Sequence, residues 1–177
     1  MVPRFPLDDA IRKIPDFPKK GVLFYDVTSL LANPEAFGFC VASMIDMYSD
    51  AGIDAVAAIE SRGFVFASPF AERLRLPLIL IRKKGKLPGK TLSEKYALEY
   101  GEAEIEAHQA DIPAGKRVLI VDDLIATGGT IQATARLLRR AGAEVAGAFG
   151  VIGLTFLDYS KRLAGIEVKT LIEYGSE

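Results

Sequence analysis

Between Arg117 and Thr130 the chain reads RVLIVDDLIATGGT. An apolar run ends in two adjacent carboxylates, Asp122 and Asp123. A small-residue turn follows, Ala126 to Thr130, with hydroxyls at Thr127 and Thr130 and glycines at Gly128 and Gly129. Successive N–H groups of a glycine-rich turn entering a helix form an anion-binding concavity, reinforced by the helix dipole. Glycine carries no Cβ to hold an anion at a distance, and threonine hydroxyls donate hydrogen bonds. The turn therefore suits a phosphate. Two carboxylates beside a phosphate repel it, unless they accept hydrogen bonds from sugar hydroxyls or face a cation. A ribose 5-phosphate meets the first condition, with its phosphate in the turn and its hydroxyls toward Asp122 and Asp123. The same residues also read as a plain strand end, turn and helix N-terminus whose acids complement the dipole. No GxxxxGK[ST] accompanies the acidic strand, and no GxGxxG occurs, so two common nucleotide-binding fingerprints are absent.

The elements needed to position that turn are legible on either side. AVAAIE, PLILIRK, RVLIVDD and EVAGAFGVIG are short, nearly continuous apolar runs, and IEVKTLIEY closes the chain. Between them come helical patterns over about Phe64 to Leu74, Ile131 to Arg140 (ended by Gly142) and Tyr159 to Leu163. Asn33 and Pro34 mark the start of an earlier helix, in which Phe37, Cys40, Val41, Met44, Ile45 and Tyr48 recur every three or four residues. Continuous apolar strands alternating with helices predict an α/β fold with a central, mainly parallel sheet flanked by helices. Ligands of such sheets sit beyond the carboxyl ends of the strands, where the Asp pair falls. At the N-terminus, LDDAIRKIPDFPKKG predicts a short helix ended by Pro15, and GVLFYDVTSLL an extended segment. Residues 83–104 break the alternation. They are polar, punctuated by Gly and Pro, and hold only a short strand-like YALEY, as a functional flap does.

At 177 residues the chain is sized for a single domain. Its formal net charge of −1 points to no nucleic-acid or membrane partner, so any basic site must be local. The one cysteine, Cys40, sits among apolar neighbours as a core residue does and cannot form an internal disulfide. No apolar run approaches the roughly 20 residues that span a bilayer, and the N-terminus lacks the apolar core of a secretory signal. A cytoplasmic protein is expected.

VLIVDDLIATGGT resembles the phosphoribosyl-diphosphate signature of the type I phosphoribosyltransferases. Three further segments, FPKKGVLFYDVTSLL, AIESRGFVFASP and LIRKKGKLPGKTLSEKYALEYG, resemble the adenine-specific branch of that family, as does the ending TLIEY. The likeness covers nearly the whole chain in the family's order. It implies the type I phosphoribosyltransferase fold in one domain over residues 1–177, with an N-terminal purine-binding hood over 1–33 and a catalytic flap over 83–104. It also implies a purine salvage reaction: adenine and 5-phospho-α-D-ribose 1-diphosphate give AMP and diphosphate, with Mg²⁺ held mainly through the substrate, in a homodimer.

Carried over residue by residue, the resemblance puts Ala126, Thr127, Gly128, Gly129 and Thr130 around the 5-phosphate and Asp122 and Asp123 at the ribose. Glu60 to Gly63 (ESRG) match the diphosphate loop, with Ser61 and Arg62 at the diphosphate and a cis peptide at Glu60–Ser61. A guanidinium forks two hydrogen bonds to phosphate oxygens, the role implied for Arg62. Arg82 and Lys83 head a basic run with Lys84, Lys86 and Lys90, suited to steering and holding a diphosphate and, in related folds, reaching a neighbouring subunit. Glu99 matches the acid/base residue near the purine, and Tyr100 helps close the flap. Leu23, Phe24 and Tyr25 correspond to the purine-binding segment, with Leu124 just after the Asp pair. A pocket that accepts from the 6-amino group of adenine leaves an acceptor unpaired against an oxopurine, which is a basis for discrimination.

Three positions depart from the family's pattern. Tyr25 stands where many relatives carry Arg, Gln109 where Lys is frequent, and Gly153 where Glu is common. His108, the one histidine, reads as structural or solvated. Two other functions compete: a phosphoribosyltransferase for hypoxanthine, guanine or xanthine, and a non-enzymatic sensor built on the same fold. The first should lack the LFYD, ESRG and LEYG set. The second should carry a nucleic-acid-binding extension or basic surface.

Overall fold

A computed structural model describes residues 5–97 and 101–176 of the chain. Seven strands form the main sheet: β3 (Ala55–Ile59), β4 (Leu78–Lys83), β5 (Thr91–Ala97), β6 (Glu102–His108), β7 (Arg117–Ile125), β8 (Glu144–Leu154) and β9 (Val168–Tyr174), in the spatial order β5-β6-β4-β3-β7-β8-β9. From β4 to β9 every pairing is parallel, while β6 joins β4, and β5 joins β6, antiparallel. The expected α/β architecture is present.

The apolar runs are continuous because the central strands are covered on both faces. In β3, Val56 and Ala58 belong to one core cluster, with helix α3 (Pro34–Tyr48) and helix α4 (Gly63–Leu74), while Ala55, Ala57 and Ile59 belong to the other, with helix α5 (Gly129–Arg140). Leu119 and Val121 of β7 face the first cluster, and Val118 and Ile120 the second. The strand period of two thus feeds two separate cores from one apolar run. Helix α3 begins as the sequence predicts: the Asn33 side chain accepts from the Glu35 and Ala36 N–H groups at 3.1 Å, and Pro34 occupies the first turn. Cys40 is buried in that helix.

The N-terminal segment differs from its sequence reading. The first helix, α1 (Leu7–Ala10), stops before Pro15, and β1 (Arg12–Ile14) pairs antiparallel with β2 (Phe24–Asp26). The expected extended stretch also ends at Asp26, whose carboxylate accepts from the N–H and hydroxyl of Thr28 and turns the chain into α2 (Thr28–Leu31). A short aspartate competing for backbone N–H groups ended the strand.

Residues 91–97 and 102–108 form an antiparallel strand pair rather than an irregular insertion carrying one short strand. Strands β5 and β6 extend the main sheet past β4, and Ile105 and Ala107 are buried in the α5-side core. Arg136 and Arg140 of α5 both pair with Glu94 of β5, at 2.8 and 2.7 Å, and donate to the Lys95 and Ser93 carbonyls. These cross-links tie the strand pair to the helix that follows the TGGT turn. Glu99 and Tyr100 lie outside the described residues.

Candidate active site

Three connections converge at the carboxyl edge of the parallel sheet. Glu60-Ser61-Arg62 follows β3, Arg82 and Lys83 end β4, and Asp122 and Asp123 lie in β7 before the turn into α5. Together they line one open cavity of about 320 Å³, with Leu124 and Thr130 on its wall. A smaller cavity of about 90 Å³ lies in the turn itself, lined by Ala126 to Thr130 and sharing Asp122, Leu124 and Thr130 with the larger one. The sequence-predicted phosphate, ribose and diphosphate residues are thus brought into two contiguous spaces.

Side-chain pairing holds the three connections together. Arg62 donates from Nε to Asp123 Oδ2 at 2.6 Å, linking the β3 loop to β7. Gly63 makes that approach possible, because a Cβ there would stand 2.9 Å from the Val121 carbonyl oxygen and 3.1 Å from Asp122 Cα. The peptide between Glu60 and Ser61 is cis, as expected. Glu60 accepts from Arg82 (3.3 Å to each carboxylate oxygen) and from the Lys83 N–H (2.9 Å), linking the β3 and β4 loops. Burial works to raise the Glu60 carboxyl, but the Lys83 N–H and Arg82 outweigh it and hold the group below its ordinary value.

Asp122 behaves oppositely. Burial, and then the charge of neighbouring Asp123, push its carboxyl well above the ordinary range. Its Oδ1 accepts the Asp123 N–H at 2.9 Å. Arg62 neutralises one member of the pair, and the other has a strong need for a donor such as a hydroxyl.

The TGGT turn is built as predicted, with Gly128 in the left-handed region (φ +75) at the N-terminus of α5. The space its two glycines vacate has a use beyond anion approach. A Cβ at Gly128 would meet Leu163 Cγ at 3.0 Å, and one at Gly129 would meet Arg162 Nη1 at 3.1 Å. Both side chains come from the end of α6 (Tyr159–Arg162) and the residue after it.

The purine-segment residues are placed differently from the rest. Leu124 lines both cavities, whereas Leu23, Phe24 and Tyr25 line neither. Phe24 meets Phe17 edge to face at 5.0 Å, and the buried Tyr25 ring stacks on Tyr174 at 3.9 Å. Tyr25 therefore fills core. The strand β2 still ends near the site: Asp26, held low first by the Thr28 hydroxyl, also feels the Arg62 charge. At Gly153 a Cβ would stand 2.6 Å from the Tyr159 hydroxyl, which donates to Glu173, so the space of the missing side chain is filled from α6.

Three contributors escaped the sequence reading. Glu106 of β6 is a buried carboxylate that accepts from the Lys86 and Leu87 N–H groups (2.9 Å each) and the Thr91 hydroxyl (3.1 Å), and pairs with Lys84 at 3.3 Å. It shapes the basic turn after β4. Tyr96 of β5 lines the larger cavity and accepts from the Thr130 hydroxyl at 3.2 Å. Arg162 donates to Thr127 Oγ1 at 3.2 Å. The sequence carried one signal, an acid between apolar Ile105 and Ala107 in a strand. Tyr96 and Arg162 had none.

Among the described residues no group of three or more His, Cys, Asp or Glu could hold a metal ion, and no helix is long and apolar enough to cross a membrane.

Residues 26–159 match the family described as the phosphoribosyl transferase domain. The adenine phosphoribosyltransferase of Treponema denticola is 60% identical over 171 residues, covering 97% of this chain and 90% of that protein. The crystal structure of adenine phosphoribosyltransferase from Thermoanaerobacter pseudethanolicus superposes with a TM-score of 0.91 at 43% identity, over 95% of this chain and 98% of that one. The Saccharomyces cerevisiae enzyme, solved with an imino-altritol bisphosphate and adenine, gives 0.87 at 35% identity, over 94% and 96%. With this fold, these loops at one sheet edge and these relatives, the chain belongs to the phosphoribosyltransferase family, in its adenine phosphoribosyltransferase branch.

Proposed function

We propose specific roles for the residues around the two cavities in the reaction of this branch. The reaction joins N9 of adenine to C1′ of 5-phospho-α-D-ribose 1-diphosphate, giving AMP and releasing diphosphate. The observation that carries the assignment is the convergence of the ESR, RK and DD–ATGGT connections on contiguous cavities at the carboxyl edge of the sheet.

The 5-phosphate occupies the small cavity, against Ala126 to Thr130 and the α5 dipole. Asp122 and Asp123 accept from the ribose hydroxyls. Diphosphate lies over Ser61 and Arg62, with Arg82 and Lys83 supplying charge at the leaving group. The Arg62–Asp123 bond uses Nε, and the two terminal nitrogens are the fork that would meet phosphate oxygens. Mg²⁺, held mainly through the substrate, would supply further neutralisation of the diphosphate. As the C1′ bond to diphosphate lengthens, charge grows on the leaving oxygens and the sugar becomes oxocarbenium-like. Preorganised cations and N–H groups favour that state over the ground state.

Adenine lies beside Leu124, beneath the hood segment of residues 1–33, which contributes backbone groups around Leu23, Phe24 and Tyr25. Glu99 manages the ring proton of adenine, and Tyr100 helps the flap of residues 83–104 exclude water. The homodimer belongs to the same proposal: Val65 on α4 and Leu80 on β4 are large apolar side chains left exposed, surface that a second copy would cover. A cytoplasmic location is the setting in which phosphoribosyl diphosphate is met.

The direct test supplies adenine, phosphoribosyl diphosphate and Mg²⁺, with hypoxanthine, guanine and xanthine in parallel, and measures nucleotide formed. AMP from adenine alone supports the purine assignment. Turnover of an oxopurine instead would keep the phosphoribosyl site and remove the pocket assignment, and no turnover of any base would favour a sensor.

A further inference from the structure

The small phosphate cavity contains no cation of its own. Its lining is Asp122, the apolar Leu124, Ile125, Ala126 and Ile131, and the TGGT residues. Backbone N–H groups and two hydroxyls are neutral donors, and the helix dipole supplies only about half a charge. A phosphate monoester carries close to two negative charges at neutral pH, and Arg62, the nearby cation, is engaged by Asp123. The electrostatic requirement for a positive group at this loop is therefore strong.

Helix α6 brings one. Arg162 lies against the turn, with Nη1 donating to Thr127 Oγ1 at 3.2 Å and standing 3.1 Å from where a Gly129 Cβ would be. Its backbone is held in place from two directions. The Arg162 carbonyl accepts from Gln132 Nε2 of α5 at 2.8 Å, and the next residue, Leu163, is buried under Gly128. Upstream, Tyr159 is buried and donates to Glu173 at 3.0 Å. The neighbouring cation, Lys161, turns the other way and pairs with Asp158 at 2.6 Å. Arg162 is thus the basic side chain that this short helix directs at the turn.

We propose that Arg162 is a binding residue for the 5-phosphate of phosphoribosyl diphosphate and of AMP, an inference that rests on the ATGGT turn being the 5-phosphate site. It acts in two ways. Because Thr127 Oγ1 accepts from the guanidinium, the Thr127 hydroxyl proton is left to donate into the cavity, and the donor is polarised by the adjacent charge. The guanidinium also faces phosphate oxygens that project past Gly129, where the lack of a side chain opens the path. Gly129 is then required as much for Arg162 as for the anion.

The test compares the wild-type protein with Arg162→Gln and Arg162→Lys. It uses ribose 5-phosphate and diphosphate as separate inhibitors of AMP formation. Ribose 5-phosphate carries the phosphate that Arg162 faces, and diphosphate does not. Arg162→Gln should raise the KM for phosphoribosyl diphosphate and the Ki of ribose 5-phosphate together, by about tenfold or more, as loss of a charge-assisted hydrogen bond does. The KM for adenine and the Ki of diphosphate should stay within about twofold, and Arg162→Lys should recover most of the loss. An unchanged Ki for ribose 5-phosphate in Arg162→Gln, with the wild type inhibited, would overturn the proposal and leave the loop assignment standing. Equal weakening of ribose 5-phosphate and diphosphate, unrepaired by lysine, would also overturn it and make Arg162 a purely structural support. A wild-type protein that ribose 5-phosphate does not inhibit competitively would remove the loop assignment itself.

Discussion

The Arg62 guanidinium and the Asp123 carboxylate meet at 2.6 Å across 61 residues of chain, joining the loop after β3 to the end of β7. Asp123 is 7% exposed at its side chain and Arg62 46%, so the pair straddles the wall of the larger cavity. The acid proposed for the ribose and the arginine proposed for the diphosphate thereby position each other.

That pairing predicts non-additive behaviour. Arg62→Met leaves a buried carboxylate without its cation and should cost about 1–3 kcal/mol of stability. Asp123→Asn should cost less, because the amide is neutral. The double variant should be more stable than the sum of the two changes implies, and a thermal-unfolding double-mutant cycle measures the difference. In the same proteins the KM for phosphoribosyl diphosphate should rise in each single variant.

Asp122 should trade stability for function. Its carboxyl is raised by burial and by Asp123, so ionised Asp122 destabilises the fold as pH rises above the ordinary value of 3.8. Asp122→Asn keeps an acceptor for the Asp123 N–H and removes that cost. It should melt at a higher temperature than the wild type at pH 7 while losing about 10- to 100-fold in kcat/KM, the value of one charged hydrogen bond to a ribose hydroxyl. Parallel melting and kinetic assays decide it; a variant both less stable and fully active would refute the assignment.

Glu106 predicts an acid-side signature. Burial opposes its ionisation, yet the Leu87 and Lys86 N–H groups, Lys84 and Thr91 outweigh it and bring its carboxyl down from 4.5 to about 2. A carboxyl with a lowered folded value stabilises the protein fully above about 4.5, and that contribution fades as pH falls toward 2. Glu106→Gln should therefore be less stable than the wild type at pH 7 and converge with it on acidification. Denaturant titrations across this range show whether the curves meet.

Glu99→Gln should lower kcat by about 10²- to 10⁴-fold, with little change in the KM for phosphoribosyl diphosphate, as removal of a proton-transfer group does. An equal loss of phosphoribosyl diphosphate affinity would assign Glu99 to binding instead. Steady-state kinetics with each substrate varied separate the two.

Gly63→Ala tests the close approach of α4 to β7. The added methyl meets backbone, the Val121 carbonyl at 2.9 Å, rather than a side chain that could turn aside. A loss of about 1–3 kcal/mol is expected, with reduced activity because Arg62 and Asp122 are displaced together. Urea unfolding and AMP formation read both.

The sequence by itself determined the parallel strands of the main sheet, the helices that flank them and the DD–ATGGT turn. Each depends on local periodicity or on a residue's own backbone preference: strands buried on two faces, Asn33–Pro34 starting α3, Gly128 adopting a left-handed conformation. The family likeness then named the residues proposed for the larger site. Tertiary structure alone decided the partners. Arg62 with Asp123, Glu60 with Arg82 and Arg162 with Thr127 lie 61, 22 and 35 residues apart, and no local pattern encodes a contact formed only when elements distant in the chain meet. Glu106 and Tyr25 make the same point from the core. A glutamate between Ile105 and Ala107 became a buried anchor for the basic turn 20 residues earlier, and a tyrosine after Phe24 became a stacking partner of Tyr174. Burial is set by what folds over a residue from elsewhere in the chain, which its neighbours in sequence do not record.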